Sequence, residues 1–306
     1  MKFCAVAASG GTITGIIVGA EILLLPDHVG DLVTIIGGGA EALSAVDNAI
    51  KRGGCEKIAL ERGRLLAPIQ RFRRDVLCTG WNYWDHFDEG RSHRPDVERP
   101  AAPTYFTKSA DTVIAPDADI GIDPRLSVKW DYEAEIALII GKTGRSIPRS
   151  RAMDHIFGYT LANDVSQREL QRRHGGQWFK GKSIDATMPL GPFVATADEI
   201  DLARTRITCE VNGEVRQDAQ TSQMAFSLPD LIAELSLGMT LHAGDVLLTG
   251  TPSGVGNSRK PPIYLTPGDS VVISATGLGE QRNRIVAVDL RGDSDIRLDA
   301  VTSATP

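Results

Sequence analysis

The chain has 306 residues, 42% of them hydrophobic and 24% charged, so it can bury one sizeable core with a smaller appended domain. Its formal net charge is −6 at pH 7, which argues against nucleic acid and anionic membranes as partners, because both favour basic surfaces. The four cysteines form no metal or disulfide pattern, and we find neither a signal peptide nor an apolar run long enough to span a membrane, so a cytoplasmic protein is predicted.

The N-terminal segment, residues 1–70, alternates short β-rich runs, including 33–36, with glycine pairs. This spacing predicts a small N-terminal β-domain. Apolar periodicity then predicts a helix over 41–52, ended by two glycines. A GxGxxA match at 37–42 is typical of dinucleotide-binding turns, but the strand and helix alternation of a Rossmann domain does not follow it. We interpret these glycines as a strand-to-helix turn.

A possible acid–base pair lies in residues 76–90, VLCTGWNYWDHFDEG, which predict a strand, a glycine turn and a short helical segment. His86 and Glu89 stand three residues apart there, the spacing at which a carboxylate can orient an imidazole. A surface pair without a chemical role shows the same spacing, so the pattern alone leaves both interpretations open. The polar, proline-containing sequence that follows predicts a mobile lid over 84–102.

Two acids interrupt an otherwise apolar segment at residues 130–142, WDYEAEIALIIGK, which predicts a buried strand. Alternate residues share a strand face, so Glu133 and Glu135 lie on the same side, and the second half of the strand is buried on both sides. Two such carboxylates cannot both stay ionised in a buried site unless a cation lies between them. Hard oxygen ligands favour Mg, Ca or Mn over zinc. A solvated edge strand would show the same Glu-x-Glu pattern, so a metal site requires a third ligand.

That third acid is supplied by Asp164, at the end of a strand predicted over 159–165. A helix is predicted directly after it, over 167–173, with Arg168 and Gln171 on one face. Lys182 follows in the loop GGQWFKGKS. Because both cations come next to a predicted carboxylate cluster, we interpret them as site residues.

The C-terminal part is β-rich, with a hairpin at 207–215 whose Asn-Gly turn suits a two-residue loop. Residues 227–238 predict a helix with a serine cap and a glycine stop. The loop TGTPSGVG, 249–256, lacks the Gly-Lys-Ser/Thr ending of a P-loop, so nucleotide binding is not expected. It can instead present Thr251 and backbone N–H groups to an anion. A tail over 293–306 is predicted to be disordered.

The order of these motifs resembles that of the fumarylacetoacetate hydrolase family. The motifs extend over roughly residues 75–290 and read GWNYWDHFDE, DYEAEIALIIGK, ANDVSQRELQ, WFKGKS with MPLGP, VNGEVRQD and LLTGTPSGVG. The resemblance implies a mixed β-rich α+β fold, with a β-roll catalytic domain over 71–292 beside the small N-terminal domain over 1–70. It also implies a homodimer.

The resemblance assigns roles to individual residues. It implies a Mg ion, with Mn or Ca as alternatives, held by Glu133, Glu135 and Asp164. The implied catalytic residues are His86, its partner Glu89, and Lys182. The implied substrate contacts, besides Lys182, are Arg168, Gln171 and Thr251. Trp81 stands where many family members have arginine or leucine, which places it near the pocket.

The function that the resemblance implies is metal-dependent hydrolysis of a carbon–carbon bond in a 2,4-diketo acid. An acylpyruvate or a 2,4-diketo-3-deoxy sugar acid would give pyruvate or a related 2-oxo acid and a carboxylic acid. The alternatives are decarboxylation of an oxaloacetate-like acid, and keto–enol isomerisation or hydration of a related acid. In each case the partner is a small anionic 2-oxo acid. A non-catalytic relative that keeps only the scaffold is the remaining alternative.

Overall fold

The computed structural model of the protein describes residues 1–91 and 96–294. The predicted disordered tail, 293–306, therefore falls almost entirely outside the described residues. The same is true of residues 92–95 within the predicted lid.

Strands outnumber helices in all three parts of the chain. The N-terminal segment forms β1 (Lys2–Ala8), β2 (Gly11–Val18), β3 (Glu21–Leu24), α1 (Leu32–Lys51), β4 (Glu56–Ala59) and β5 (Leu65–Leu66). The middle of the chain forms β6 (Val76–Gly80), α2 (Trp84–Glu89), β7 (Thr104–Lys108), β8 (Val113–Ile114), β9 (Ile120–Ile122), β10 (Trp130–Asp131), β11 (Ala134–Ile140), β12 (Gly144–Arg145), β13 (Ile156–Asn163), β14 (Ser166–Gln167), α3 (Arg168–Arg173), α4 (Phe179–Lys182) and β15 (Met188–Thr196). The C-terminal part forms β16 (Arg206–Val211), β17 (Glu214–Gln220), α5 (Leu228–Ser236), β18 (Thr240–Leu241), β19 (Val246–Leu248), β20 (Ser270–Ala275) and β21 (Gly279–Ala287).

Two sheets organise the described part of the chain. The larger has 12 strands, in the order β4-β3-β2-β1-β15-β13-β11-β19-β6-β7, with β5 paired to β1 and β8 paired to β15. The smaller has the order β17-β16-β20-β21-β9. Cys209 and Ile273 of the smaller sheet share one hydrophobic cluster with Leu138 and Leu161 of the larger. The predicted β-rich α+β class is confirmed.

Strand β11 lies at the centre of the larger sheet and is buried along its whole length. Ile136 and Leu138 point into one hydrophobic cluster, whereas Ala137 and Ile139 point into the other. Alternate residues of a strand face opposite sides, so the apolar run AEIALII serves two cores at once. The prediction that the second half of this segment is buried on both sides is confirmed.

The prediction of one continuous strand over residues 130–142 is wrong. β10 pairs with β14, whereas β11 pairs with β13, and the chain leaves the ladder at Tyr132 and Glu133. At this break, side chains from other segments accept hydrogen bonds from backbone N–H groups that a continuous strand would pair with its neighbour. The Asn163 Oδ1 atom accepts from the Glu133 N–H at 3.1 Å, and the Gln217 Oε1 atom accepts from the Ala134 N–H at 3.0 Å. This break is local, and both glutamates remain at the same end of the sheet.

The predicted strand over 33–36 and the strand-to-helix turn after it are also wrong, because both segments belong to α1. Leu32, Ile35 and Ile36 are buried at the i, i+3 and i+4 spacing of one helical face. Because this face packs on the core, the segment is helical. The helix continues through Gly37 and Gly38 but is interrupted at Gly39, whose φ of 58° and ψ of −138° are not helical, so two helical segments meet there. The contact of the apolar face with the core therefore outweighs the low helix propensity of the first two glycines only.

The N-terminal segment shares the larger sheet with the rest of the chain, because β1 pairs with β15 at Lys2↔Ala195 and Phe3↔Val194. The boundary near residue 70 remains a prediction. Among the helices of the described ranges, we find none with the length and apolar character required to cross a membrane.

Candidate active site

The sheet topology brings the predicted site segments to one edge. β6 and β19 are parallel, so both end at the same edge of the sheet. β11 is antiparallel to β19 and begins at that edge, and β13, antiparallel to β11, ends there. The predicted site residues next to these strand ends are Trp81 and His86 after β6, Glu133 and Glu135 at the start of β11, Asp164 after β13, and Thr251 after β19.

Glu133, Glu135 and Asp164 form a buried carboxylate cluster. One oxygen from each lies within 4.8 Å of the others, and none of the three residues is more than 5% exposed. Lys182 Nζ lies between two of them, 2.5 Å from Glu133 Oε2 and 2.7 Å from Asp164 Oδ2. Lys108, which is fully buried, donates to the other oxygen of Asp164 at 2.9 Å. The structure thus brings together the three predicted metal ligands and Lys182.

The three acids differ in their electrostatic surroundings. Burial raises the pKa of Glu135, and the charges of Asp164 and Glu133 raise it further. Burial acts in the same direction on Glu133, but Lys182 and Arg168 outweigh it and lower the pKa of that carboxyl. Burial disfavours the charged form of Lys182, yet the Coulomb attraction of Asp164 and Glu133 raises its pKa above the ordinary value. Most of the uncompensated repulsion therefore falls on Glu135.

The cluster has the chemistry of a divalent cation site. All its donor atoms are carboxylate oxygens, which suit Mg or Mn better than a thiolate-preferring metal. Within the described residues, the Glu135 carboxylate accepts one hydrogen bond, from the Gly250 N–H at 2.6 Å, and forms no ion pair. A bound cation would neutralise the repulsion that raises its pKa. These residues therefore fit a Mg or Mn ion.

His86 and Glu89 form the dyad that their spacing suggested. His86 Nδ1 lies 2.7 Å from Glu89 Oε1, and Glu89 Oε2 accepts from the Gly254 N–H at 2.8 Å. Gly254 has a φ of 106°, and a Cβ there would lie 2.0 Å from the carbonyl oxygen of Arg216, so only glycine fits. The dyad thereby fastens α2 to the loop that follows β19. Both side chains are largely buried, so this is not a solvated surface pair, and its chemical role remains a prediction.

A cavity of about 340 Å³ opens over the carboxylates. The predicted site residues that line it are Trp81, His86, Glu133, Glu135, Arg168, Gln171, Lys182 and Thr251. Asp164 and Glu89 do not line it, since Asp164 lies behind Lys182 and Glu89 lies behind His86. The cavity wall therefore carries an imidazole, the two cationic side chains Arg168 and Lys182, and two carboxylates.

The predicted substrate contacts are already held in place by protein groups. Arg168 Nη1 lies 2.8 Å from Glu133 Oε1 and donates to Gln171 Oε1 at 3.0 Å. The Thr251 hydroxyl donates to the carbonyl of Ala134 at 3.0 Å and accepts from Gln217 Nε2 at 2.8 Å. These bonds fix the side chains at the cavity wall. Their contact with substrate remains a prediction.

Asp131 joins the two segments that frame the cavity, a role that sequence reasoning did not assign. One oxygen accepts from Arg168 Nε at 2.9 Å, Arg168 Nη2 at 2.6 Å and the Asn257 N–H at 2.9 Å. The other accepts from the Gly256 N–H at 2.8 Å. A buried carboxylate with this many donors orients the guanidinium and closes the loop over it.

We expect Asp131→Asn to lower the unfolding free energy by about 3 kcal/mol, because the buried Arg168 guanidinium would keep only one of its two carboxylate partners, Glu133. Urea unfolding would measure this. Asp289→Asn is the matched control, because Asp289 pairs with Arg125 at 2.7 Å on the exposed surface, and such pairs contribute little. Equal losses in the two variants would contradict the organising role of Asp131.

Sequence reasoning also missed Lys108, Phe106 and Trp178. Phe106 and Trp178 line the cavity, and Lys108 supports Asp164 from behind. In β7 the alternation of side chains places Phe106 and Lys108 on the same face. A lysine on the same strand face as an aromatic ring was therefore the sequence signal that could have indicated a site residue. Trp178 gave no such signal, because it lies in a glycine-rich loop.

The chain thus combines a mixed β-rich α+β fold with a buried carboxylate cluster and a His–Glu dyad at one cavity. The family model described as fumarylacetoacetate (FAA) hydrolase C-terminal matches residues 75–286, and the chain belongs to this family. The resemblance drawn from the sequence motifs is confirmed.

Two curated relatives carry the same activity in their names. The oxaloacetate tautomerase YisK of Bacillus subtilis (strain 168) is 42% identical over 228 residues, which cover 74% of this chain and 74% of the relative. The mitochondrial oxaloacetate tautomerase Fahd2a of Rattus norvegicus is 39% identical over 283 residues, 85% of this chain and 87% of the relative. The chain is therefore similar, over most of its length, to enzymes named for a tautomerase reaction.

Solved structures include hydrolases. The fumarylacetoacetate hydrolase of Exiguobacterium antarcticum is 35% identical, with a TM-score of 0.81 over 94% of this chain and 100% of that chain. Maleylpyruvate hydrolase from Sphingobium sp. SYK-6, in complex with manganese(II) and pyruvate, is 26% identical, with a TM-score of 0.78 over the same shares. The relatives thus carry names of two reaction types.

Proposed function

We propose that the protein is a metal-dependent enzyme that interconverts the enol and keto forms of a small 2-oxo acid, with oxaloacetate as the first candidate substrate. The observation that carries this proposal is the position of His86. Its ring lines a cavity that also contains Glu133, Glu135 and Lys182, while its Nδ1 is held by Glu89. The similarity to two oxaloacetate tautomerases over most of the chain supports the choice of reaction.

The dyad suits proton transfer to carbon. In ketonisation the enol oxygen releases one proton to solvent water, and C3 receives one proton from a donor that solvent then reprotonates. Because His86 Nδ1 is hydrogen-bonded to the Glu89 carboxylate, Nε2 is the ring nitrogen that can exchange a proton with the substrate. His86 would deliver the proton to C3 in one direction and remove it in the other. Glu89 would fix the ring orientation.

The opposite side of the cavity suits the negative charge of the substrate. Lys182 and Arg168 supply cationic hydrogen-bond donors beside the carboxylates, where an enolate oxygen and a carboxylate of the substrate would lie. A divalent cation held by Glu133, Glu135 and Asp164 would supply Lewis-acid polarisation of the 2-oxo group. The buried setting of these charges strengthens each interaction compared with water.

The test is an assay of enol-enriched oxaloacetate in the presence of Mg, followed by the decay of the enol absorbance. We expect the enzyme to accelerate this decay, with the keto product detected by coupling to malate dehydrogenase. Pyruvate, detected with lactate dehydrogenase, should not form faster than in buffer. An enol decay rate equal to that of the buffer control would refute the proposal.

Hydrolysis of a 2,4-diketo acid is the second candidate, because the same dyad can activate water for attack on a carbonyl carbon. The likeness to maleylpyruvate hydrolase favours keeping it. Incubation with acetylpyruvate separates the two reactions, since a hydrolase releases pyruvate and acetate, whereas a tautomerase releases neither. Stoichiometric pyruvate release would establish the hydrolase function in place of the tautomerase.

A further inference from the structure

Three aromatic rings form one side of the cavity, and we call them the aromatic wall: Trp81, Phe106 and Trp178. The ring centroid of Trp178 lies 4.8 Å from that of Trp81 and 5.1 Å from that of Phe106, both pairs edge to face. All three line the cavity and are only partly buried. The wall therefore presents apolar ring surface to whatever occupies the cavity.

The backbone is adapted to hold the aromatic wall. Trp81 has a φ of 55°, a left-handed conformation that costs a bulky residue about 1–2 kcal/mol. Gly80 lies directly under the Trp178 ring, and a Cβ at this position would be 2.3 Å from a ring atom. Such a strained conformation persists where the surrounding structure requires it, and it is concentrated at functional sites.

The aromatic wall combines core packing with ring surface that stays exposed in the cavity. The adjacent Tyr83 and Phe87 are buried and supply core contacts, including the edge-to-face contact of Phe87 with Trp81 at 5.6 Å. The wall rings keep exposed surface inside a cavity whose other groups are mostly charged or polar. A four-carbon dicarboxylic acid offers nothing apolar for this surface to bind.

The aromatic wall begins at the chemical end of the cavity. Lys182 Nζ lies 5.4 Å from the centroid of the Phe106 ring. A 2-oxo acid whose head lies at Lys182 would therefore extend along Phe106 towards Trp178 and Trp81. The cavity volume of about 340 Å³ falls in the range of about 300–1,000 Å³ that holds drug-sized ligands.

We propose that the aromatic wall is a specificity subsite that selects 2-oxo acids carrying a planar apolar group beyond C3, of the 4-aryl-2,4-dioxobutanoate class. The enol of such an acid is conjugated and flat, so its aryl end can pack against the rings. Aromatic pairs contribute about 0.5–1.5 kcal/mol beyond area burial. This inference rests on the proposed function for the head group, and the proton transfers at the enol oxygen and at C3 are unchanged.

The test compares three ligands by calorimetry in the presence of Mg: oxalate, which has only the head group, acetylpyruvate, and 4-phenyl-2,4-dioxobutanoate. We expect the phenyl acid to bind wild-type protein at least tenfold more tightly than acetylpyruvate. In Trp81→Gly this preference should fall to about twofold, while the affinity for oxalate stays unchanged. Glycine accepts the left-handed backbone without strain, so this variant adds no backbone strain of its own.

Trp84→Leu is the matched control. Trp84 packs on Phe226 and under Arg99, and it does not line the cavity, so this variant should keep the tenfold preference. Gly80→Ala is the second probe, because its Cβ would displace the Trp178 ring, and it should lower the preference with oxalate binding retained.

Equal affinity of wild-type protein for the phenyl and methyl acids would overturn the subsite and leave the proposed function standing. An undiminished preference in Trp81→Gly would also overturn it, and if that variant did not fold, the same result in Gly80→Ala would do so. Absence of oxalate binding in every protein would refute the proposed function instead, and the subsite proposal with it.

Discussion

His86→Ala is expected to lower kcat for the proposed enol–keto conversion by about 10²- to 10⁴-fold, the usual cost of losing a general acid or base. Binding of Mg and of oxalate should stay near the wild-type values. The reason is geometric, since His86 lines the cavity and pairs with Glu89 but makes no hydrogen bond to the carboxylate cluster within the described part of the chain. Steady-state kinetics with the enol absorbance assay, together with calorimetry, would measure both quantities.

Two further variants make this experiment specific. Glu89→Gln should reduce kcat less than His86→Ala, because the imidazole remains and loses only its charged partner. His28→Ala replaces an exposed histidine of the N-terminal segment and should keep the wild-type kcat. A His86→Ala enzyme with kcat within a few-fold of wild type would remove the imidazole from the proposed mechanism.

Glu135→Gln is expected to abolish the stabilisation of the protein by Mg. At a Mg concentration 100 times its Kd, wild-type protein should gain about 2.7 kcal/mol in unfolding free energy by mass action. The variant should gain almost nothing, because one of three ligands is lost. Urea unfolding with and without Mg would measure the difference.

When a chelator removes the metal, the expected effect of Glu135→Gln on stability has the opposite sign. Glutamine can still accept the hydrogen bond from the Gly250 N–H, while the repulsion by Glu133 and Asp164 disappears. Without metal, the variant should therefore be at least as stable as wild type. Glu41→Gln, at an exposed position of α1, controls for general salt effects and should respond to Mg as wild type does. Mg stabilisation of Glu135→Gln equal to that of wild type would rule out this carboxylate as a ligand.

The sequence predicted the segments that carry the candidate site better than it predicted the secondary structure around them. The strand ends that carry His86, Glu133, Asp164 and Thr251 were predictable, because acids and glycines next to apolar runs leave a clear local signal. Their convergence was not derivable from residue patterns alone. This convergence depends on the parallel pairing of β19 with β6, a long-range contact that local sequence patterns do not predict.

The errors in the fold have the same physical origin. The three glycines of α1 gave a loop signal, and only the contact of Leu32, Ile35 and Ile36 with the core makes the segment helical. The break between β10 and β11 depends on Asn163 and Gln217, which come from distant parts of the chain. Local propensity was a valid guide wherever tertiary contacts did not oppose it, as in α5, which Ser227 caps as predicted.

The position of β19 has a consequence for synthesis on the ribosome. This strand fills the space between β6 and β11 in the larger sheet, yet Leu247 is made more than half a chain length after its partner Leu77. At about 5–20 residues per second, the nascent chain exposes two unpaired strand edges on the order of ten seconds or longer. During that interval each edge can pair with another chain. β19, the last strand of this sheet to be made, thus covers both edges and also completes the end of the sheet that carries the candidate site. A newly made molecule therefore gains protection from aggregation and an assembled site in the same step.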